Sequence, residues 1–415
     1  MDAPEGWRPR GMAAPLAEAM RDTPVVCLLG PRQSGKTSLV QRVFPRRAYY
    51  TFDDASLRHT AESDPGGFVA QLPEEVILDE VQRAPAVLPA IKMAVDEHRR
   101  PGRFLVTGSA NLLLLPSVGE SLAGRMEIVR LHPLTEAEKE RKPGRLVAEL
   151  LAGKLQPDIR PGRTDPSELI ERILRGGYPE ALRRPRLPRL RQWHRDYLAA
   201  LIERDARDVA NLRNLDHLAH LLAQLSAQTA QLVNVEGLAR LLGIRRETVQ
   251  NNLSALERLF LIRTLPAWHV NEARRLIKAP KVHLVDSGLA ATLAGLEAEE
   301  WTTRRERFGH AVESFAVQQI IAQAAWTDPD LRFWHYRDKD QVEVDLVITR
   351  GRHSWGVEVK AGATVAPSDG RGLLRLAERC GKDFRGGMIL HAGVSTIAMS
   401  DRRLLAVPLA ALWER

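Results

Sequence analysis

Eight consecutive residues, Gly30-Pro31-Arg32-Gln33-Ser34-Gly35-Lys36-Thr37, fit the pattern G-x-x-x-x-G-K-[ST] at every position. Glycines in such a loop let the backbone wrap a phosphate with its N–H groups pointing inward. A helix that starts there adds the positive end of its dipole. Lys36 brings a compact, mobile charge to the β- and γ-phosphates, Thr37 offers a hydroxyl to Mg²⁺, and Ser38 opens the helical run behind them. Of sixty basic residues only ten are lysine and fifty are arginine. A lysine here therefore suggests a task that needs an ammonium point charge rather than a planar guanidinium. ATP and Mg²⁺ are the expected cofactors.

A second segment complements the first. Val76-Ile77-Leu78-Asp79-Glu80 is an apolar run ending in two acids. Asp79 is placed to hold Mg²⁺ through water and Glu80 to polarise an attacking water, which points to hydrolysis rather than passive binding. Arg103-Phe104-Leu105-Val106-Thr107-Gly108-Ser109 is a further strand ending in hydroxyls. Thr107 or Ser109 would sense the γ-phosphate if this strand lies between the other two; a simple strand-to-loop turn is the alternative. Arg125, after Gly124, is a candidate arginine finger reaching a neighbour's nucleotide.

The other acid–lysine pattern lies near the C-terminus. Val342-Glu343-Val344-Asp345-Leu346-Val347-Ile348 alternates as a strand, and Gly356-Val357-Glu358-Val359-Lys360 follows. Glu358 and Lys360, two apart on a strand, share a face. Asp345 comes beside them if the strands pair as a hairpin, and Glu313 lies on a helical stretch over 308–325 among apolar residues. This Glu…Asp…Glu-x-Lys arrangement resembles the restriction-endonuclease-like (PD-(D/E)xK) superfamily. The resemblance implies that Asp345 and Glu358 hold Mg²⁺ with Glu313 assisting, and that Lys360 orients or deprotonates the water. Glu343 and Asp340 are neighbouring acids that leave the ligand assignment open. A fold kept to grip DNA without cleaving it is the alternative.

Between these ends, residues 235–242 form a short amphipathic helix stopped by Gly243, and 246–259 form a second with Val249, Leu253, Leu256 and Phe260 on one face. Arg245, Arg246, Gln250, Asn251 and Arg258 lie on the other. Strands at 260–265 and 282–285 would pair as a wing with Arg274 and Arg275 near its tip, a winged helix-turn-helix pattern. Those basic and amide side chains suit phosphates and base edges, with packing or dimerisation as the alternative use. Upstream, Arg183 and Arg184 open an arginine cluster that runs to Arg195 with no acid among them. It suits a phosphate backbone; a solvated helix start is the other reading.

These residues need scaffolds. Strands at 25–29, 49–52, 76–78, 104–107 and 126–131 alternate with helical stretches, which predicts a parallel sheet covered on both faces. Residues 136–166 are polar and punctuated by Pro and Gly, and read as a loose connection. The motif set Gly30–Thr37, Ile77-Leu78-Asp79-Glu80, Thr107-Gly108-Ser109, Leu122-Ala123-Gly124-Arg125 and Pro133-Leu134 resembles prokaryotic AAA-superfamily ATPases with a C-terminal domain of long-unassigned function. The resemblance continues through Gly176-Gly177-Tyr178-Pro179-Glu180, Tyr197 to Arg204-Asp205, and Val285-Asp286-Ser287-Gly288-Leu289, and it implies ATP hydrolysis.

The expected fold is α/β multidomain: an AAA-type parallel-sheet ATPase core over 1–135, a helical lid or linker over 136–229, a winged helix-turn-helix over 230–286 and an α/β nuclease-like domain over 287–415. The expected function is ATP hydrolysis coupled to DNA processing, as motor or switch. The alternative is a regulatory nucleotide switch controlling a protein partner in defence or signalling, with a catalytically silent C-terminal domain.

Length and composition agree. The 415 residues suit two or three domains, and 27% charged with 44% hydrophobic residues excludes disordered or membrane-embedded classes. The formal net charge of +8 favours an acidic partner such as DNA. Cys27 and Cys380 cannot form a disulfide framework, and no signal peptide or membrane span is visible, so the expected location is cytoplasmic with no membrane partner. A homo-oligomer is expected.

Overall fold

In the computed structural model of the chain the described residues are 7–109, 122, 124–160, 165–210, 215–269 and 279–415, with 204–210 described by backbone alone. The chain forms two compact units, Met1–Pro133 with Arg258–Phe260, and Leu134–Glu257 with Leu261–Arg415.

The first unit is built on five parallel strands in the order β2-β3-β4-β1-β5. They are β1 (Val25–Leu29), β2 (Ala48–Thr51), β3 (Val76–Asp79), β4 (Phe104–Gly108) and β5 (Met126–Arg130). Every residue of β1, β3 and β4 is buried, the reason these strands read as unbroken apolar runs rather than as alternations. Helices α1 (Ala13–Asp22), α2 (Lys36–Val43) and α3 (Val87–Glu97) cover the sheet, and α3 sinks Val87, Leu88, Ile91 and Val95 into the core. β4 runs between β1 and β3. Because all strands are parallel, the loops after β1, β3 and β4 emerge at one edge, where ligands of open α/β sheets bind.

The second unit starts with a stretch that sequence reading takes as a loose connection. The structure differs there: Glu136–Lys139 and Leu146–Leu151 are short helices. Thr135 and Glu138 cap the first reciprocally, and Leu146, Val147 and Leu150 are buried. The cap and three apolar side chains outweigh the Pro and Gly punctuation around them. Next come α4 (Leu187–Ala210), α5 (Val235–Leu242), which ends at Gly243, and α6 (Arg246–Arg258). A three-stranded antiparallel sheet, order β6-β8-β7, follows: β6 (Gln231–Leu232), β7 (Ile262–Leu265) and β8 (Lys281–Leu284). The buried residues of α6 are Val249, Asn252, Ala255 and Leu256, so the buried stripe is turned slightly from the expected one and Leu253 is only half-buried.

Helix α7 (Ser287–Ala294) is capped by Asp286, whose carboxylate accepts from Leu289 N at 2.8 Å and from Gly177 N at 2.6 Å. The Gly176-Gly177 and Asp286-Ser287-Gly288 motifs are therefore two halves of one buried backbone lock.

The C-terminal part is a six-stranded mixed sheet, order β13-β14-β12-β11-β10-β9. Its strands are β9 (Arg332–Arg337), β10 (Glu343–Arg350), β11 (His353–Lys360), β12 (Phe384–His391), β13 (Ile397–Ala398) and β14 (Leu404–Pro408). Helix α8 (Arg305–Thr327) packs Val312, Phe315, Ala316 and Ile320 with Leu346, Ile348, Val357 and Leu390. Helix α9 (Arg371–Cys380) packs Leu373 and Leu376 with Val344, Val347 and Ile389. The expected hairpin is present: β10 and β11 are antiparallel, with Leu346 opposite Val357. Among the described residues no helix is long and apolar enough to cross a membrane.

Candidate functional sites

The loop after β1 turns through Gln33 at φ 61° and Gly35 at φ 95° before α2 begins at Lys36. Gly30 has no room for a side chain, because a Cβ there would lie 2.2 Å from the Leu131 carbonyl oxygen. Lys36 is buried, and its ammonium donates to the Gly30 and Pro31 carbonyls at 3.0 and 2.9 Å. Pro31 and Ser34 are buried, Arg32 is half-buried, and Gln33 and Ser38 are exposed. Thr37 donates its hydroxyl proton to Asp79 Oδ2 at 2.9 Å.

Asp79 is the centre of the arrangement. Its Oδ2 also accepts from Tyr49 Oη at 2.5 Å, and its Oδ1 accepts from Thr107 Oγ1. Burial, then the bond to Asp79, pushes the Tyr49 phenol well above its ordinary range, so it stays a donor. Glu80 has left-handed backbone, φ 58° and ψ 43°, a conformation that costs a non-glycine residue of order 1 kcal/mol and clusters at functional sites. Its carboxylate accepts from Gln82 Nε2 and from Ser109 Oγ, the latter at 3.1 Å. Thr107 thus supports Asp79 while Ser109 holds Glu80.

Three residues here are not indicated by any motif. Arg10 is buried and donates to Ser34 O at 2.7 Å and His132 O at 2.6 Å, tying the loop to the segment after β5. Tyr49 and Gln82 are the others. Spacing cannot reveal them; an arginine shortly before the first buried strand was the one available signal for Arg10.

Arg125 is elsewhere. It immediately precedes β5, and Val25 pairs with Met126, so it sits at the opposite sheet edge from the loop after Leu29. Five residues of strand separate the two edges, about 17 Å. Its guanidinium pairs with Asp96. Within one chain it does not join the nucleotide site.

The C-terminal residues do come into one neighbourhood, but as two ion pairs. Lys281, the first residue of β8, places its ammonium 2.7 Å from Glu313 Oε1, 3.2 Å from Asp345 Oδ1 and 3.6 Å from Glu343 Oε2. Asp345 Oδ2 accepts from Val359 N at 2.9 Å. Lys360 instead donates to Glu358 Oε1 at 2.9 Å. All but Lys360 and Glu343 are over nine-tenths buried, or at that limit for Glu313.

Burial, and then Asp345, push the Glu358 carboxyl up to about 8 and raise Glu313 as well. Burial would lower Lys281, but Asp345 and Glu313 override it and keep it charged. The expected ligand set Glu313, Asp345 and Glu358 does not fit a resident divalent ion. An ammonium lies between the first two, the third is turned to Lys360, and among the described residues no three His, Cys, Asp or Glu side chains converge in a metal-binding group. Lys281 was missed because nothing in its spacing links it to Glu313. A lysine opening an apolar strand of an arginine-rich chain is the available signal.

Of the nucleic-acid candidates, Arg245, Arg246, Gln250 and Asn251 are all exposed at the start of α6. Arg183 is exposed and pairs with Glu180 at 3.2 Å. Arg184 donates to the Glu180 carbonyl at 2.5 Å and lies 5.8 Å over Trp193, which commits it to packing. Arg274 and Arg275 lie outside the described residues.

Comparison with known proteins agrees with this layout. Residues 22–139 match the model of an AAA domain (AAA_14). Residues 166–300 and 308–412 match two domains of unknown function, DUF8612 and DUF4143. Among solved structures, the Walker-type ATPase paby2304 of Pyrococcus abyssi is similar with a TM-score of 0.42 at 17% identity, over 68% of this chain and 94% of that one. Uncharacterized protein Mb2031c of Mycobacterium bovis and uncharacterized protein Rv2008c of Mycobacterium tuberculosis are each 30% identical over 365 residues, 88% of this chain and 76% of theirs. The parallel sheet, the loop at Gly30–Thr37 and the AAA-domain match over 22–139 make the first unit a P-loop ATPase-like AAA domain, and the chain belongs to the family of these two mycobacterial proteins.

Proposed function

We propose that this protein binds and hydrolyses ATP and couples that turnover to DNA binding. The observation that carries the first half is the connected set Lys36, Thr37, Asp79, Glu80 and Ser109 at one sheet edge. In this reading the loop N–H groups and Lys36 hold the phosphates. Thr37 and Asp79, already 2.9 Å apart, are the pair that would take Mg²⁺. That ion would neutralise phosphate charge as the bond to the γ-phosphoryl group breaks. Glu80, oriented by Gln82 and Ser109, draws the proton from the attacking water.

Arg125 lies too far from its own cradle to act there, which supports an oligomer in which it meets a neighbour's nucleotide. The exposed Arg245, Arg246, Gln250 and Asn251 support a winged-helix module that contacts DNA. The three-layer C-terminal part, with its β10–β11 hairpin, supports a nuclease-like fold that grips rather than cuts.

The experiment is ATP turnover against duplex, single-stranded and branched DNA, with assembly state measured in parallel. Stimulation by any of these, absent in Lys36→Ala, is expected. No binding of any DNA at moderate salt removes the DNA half. A second reading, a nucleotide switch governing a protein partner with a silent C-terminal domain, is favoured by one observation: Lys281 Nζ sits between Glu313 and Asp345, two of the acids that cleavage would need.

A further inference from the structure

We propose that the Lys281 ammonium is the built-in cation of the Glu313–Asp345 pair and that it keeps divalent metal out of the C-terminal site. The two carboxylates face one point, and that point is Lys281 Nζ, 2.7 Å from one and 3.2 Å from the other. The remaining oxygens also have neighbours. Asp345 Oδ2 accepts from Val359 N, Glu313 Oε2 faces His310 Nδ1 at 3.9 Å, and Glu343 Oε1 pairs with Arg337 at 2.6 Å. A Mg²⁺ or Mn²⁺ ion would need several of these oxygens close to 2 Å, in the volume the ammonium fills.

The lysine is also held from behind. β8 is the middle strand of its sheet, and Lys281 is registered against Leu232 on one side and Leu265 on the other. Its Cα cannot swing away without unzipping both pairings, and only 5% of its side chain is exposed. The residue type suits the job: one compact charge fits between two carboxylates, where a planar guanidinium would spread them. Lys281 therefore also ties the β6-β8-β7 sheet to helix α8 and strand β10. None of this depends on whether the chain binds DNA or turns over ATP.

The test is Mn²⁺ titration of the nucleotide-free full chain, reading free Mn²⁺ by electron paramagnetic resonance. Wild type should bind no ion that Asp345→Asn removes. Lys281→Met, and separately Lys281→Gln, should gain one Mn²⁺ per chain at least tenfold tighter than wild type. The double variant with Asp345→Asn should lose it again. A lysine variant that unfolds alone but recovers its circular dichroism on adding Mn²⁺ is equally supportive. A wild-type ion that Asp345→Asn abolishes overturns the proposal. So do lysine variants that neither bind Mn²⁺ nor are restored by it.

Discussion

Lys36 and Lys281 are both buried lysines, yet they rest on opposite kinds of partner. Lys36 lies on two main-chain carbonyls, Gly30 and Pro31; Lys281 lies on the carboxylates of Glu313 and Asp345. A hydrogen bond from a charged group to a carbonyl contributes about 1.5–3 kcal/mol, and a phosphate oxygen can replace the carbonyl. Breaking a buried ion pair by removing one partner costs about 3–5 kcal/mol. The first lysine rests on carbonyl oxygens that a phosphate oxygen can replace, while the second already has its ligand inside the chain.

The acids differ in the same way. Asp79 and Glu80 are held by neutral donors, Thr37, Tyr49 and Thr107 for one and Gln82 and Ser109 for the other, which orient charge without cancelling it. Glu313 and Asp345 instead share one ammonium, that of Lys281. Residue types look alike in both places, lysine with aspartate and glutamate. What separates an open site from a closed one is whether the partners are charged.

The sharpest way to break this contrast is at Glu80. Glu80→Gln should lower ATP turnover by about 10²- to 10⁴-fold, the usual weight of a general base, while nucleotide affinity holds. Retained turnover would show the acid idle.

Lys281→Met should destabilise the second unit by about 3–5 kcal/mol without metal, read as a lower denaturation midpoint. Unchanged stability would mean the ion pair matters little.

At the open site, Lys36→Ala should weaken ATP binding roughly 30-fold or more, since losing one partner of a desolvated charge pair costs 2–5 kcal/mol. Fluorescent-nucleotide titration measures this.

Glu358 gives a pH test of the closed site. Burial, and then Asp345, raise its folded value to about 8. Unfolded chain releases this proton in the ordinary carboxylate range, so between there and pH 8 the folded state holds the extra proton. Stability from this group accordingly falls as pH rises through that window and levels off above it. Glu358→Gln should flatten the slope; an unchanged slope assigns it to other groups.

The smallest effect expected is on the exposed face of α6, where Arg245→Ala or Arg246→Ala should each lower the salt dependence of DNA binding by about one unit. Variants that leave it unchanged would move the DNA contact elsewhere.

The sequence made much of this legible, for reasons that are local. β1, the loop and α2 announce themselves because apolar run, glycines and helix start are contiguous. β3 ends in its two acids. The β10–β11 hairpin follows from alternation, and Gly243 marks the end of α5. What stayed hidden depends on long-range contact. Arg10 reaches Ser34 and His132, Tyr49 reaches Asp79 across the sheet, and Lys281 meets Asp345 from 64 residues away. The 136–166 stretch misled because a capping box and three buried residues are a weak signal beside Pro and Gly.

The most direct test of the open-versus-closed account is the number of Mn²⁺ ions per wild-type chain with and without ATP. One ion that requires ATP and is lost in Thr37→Ala is the predicted result. A further ion that needs no ATP and disappears in Asp345→Asn would contradict it.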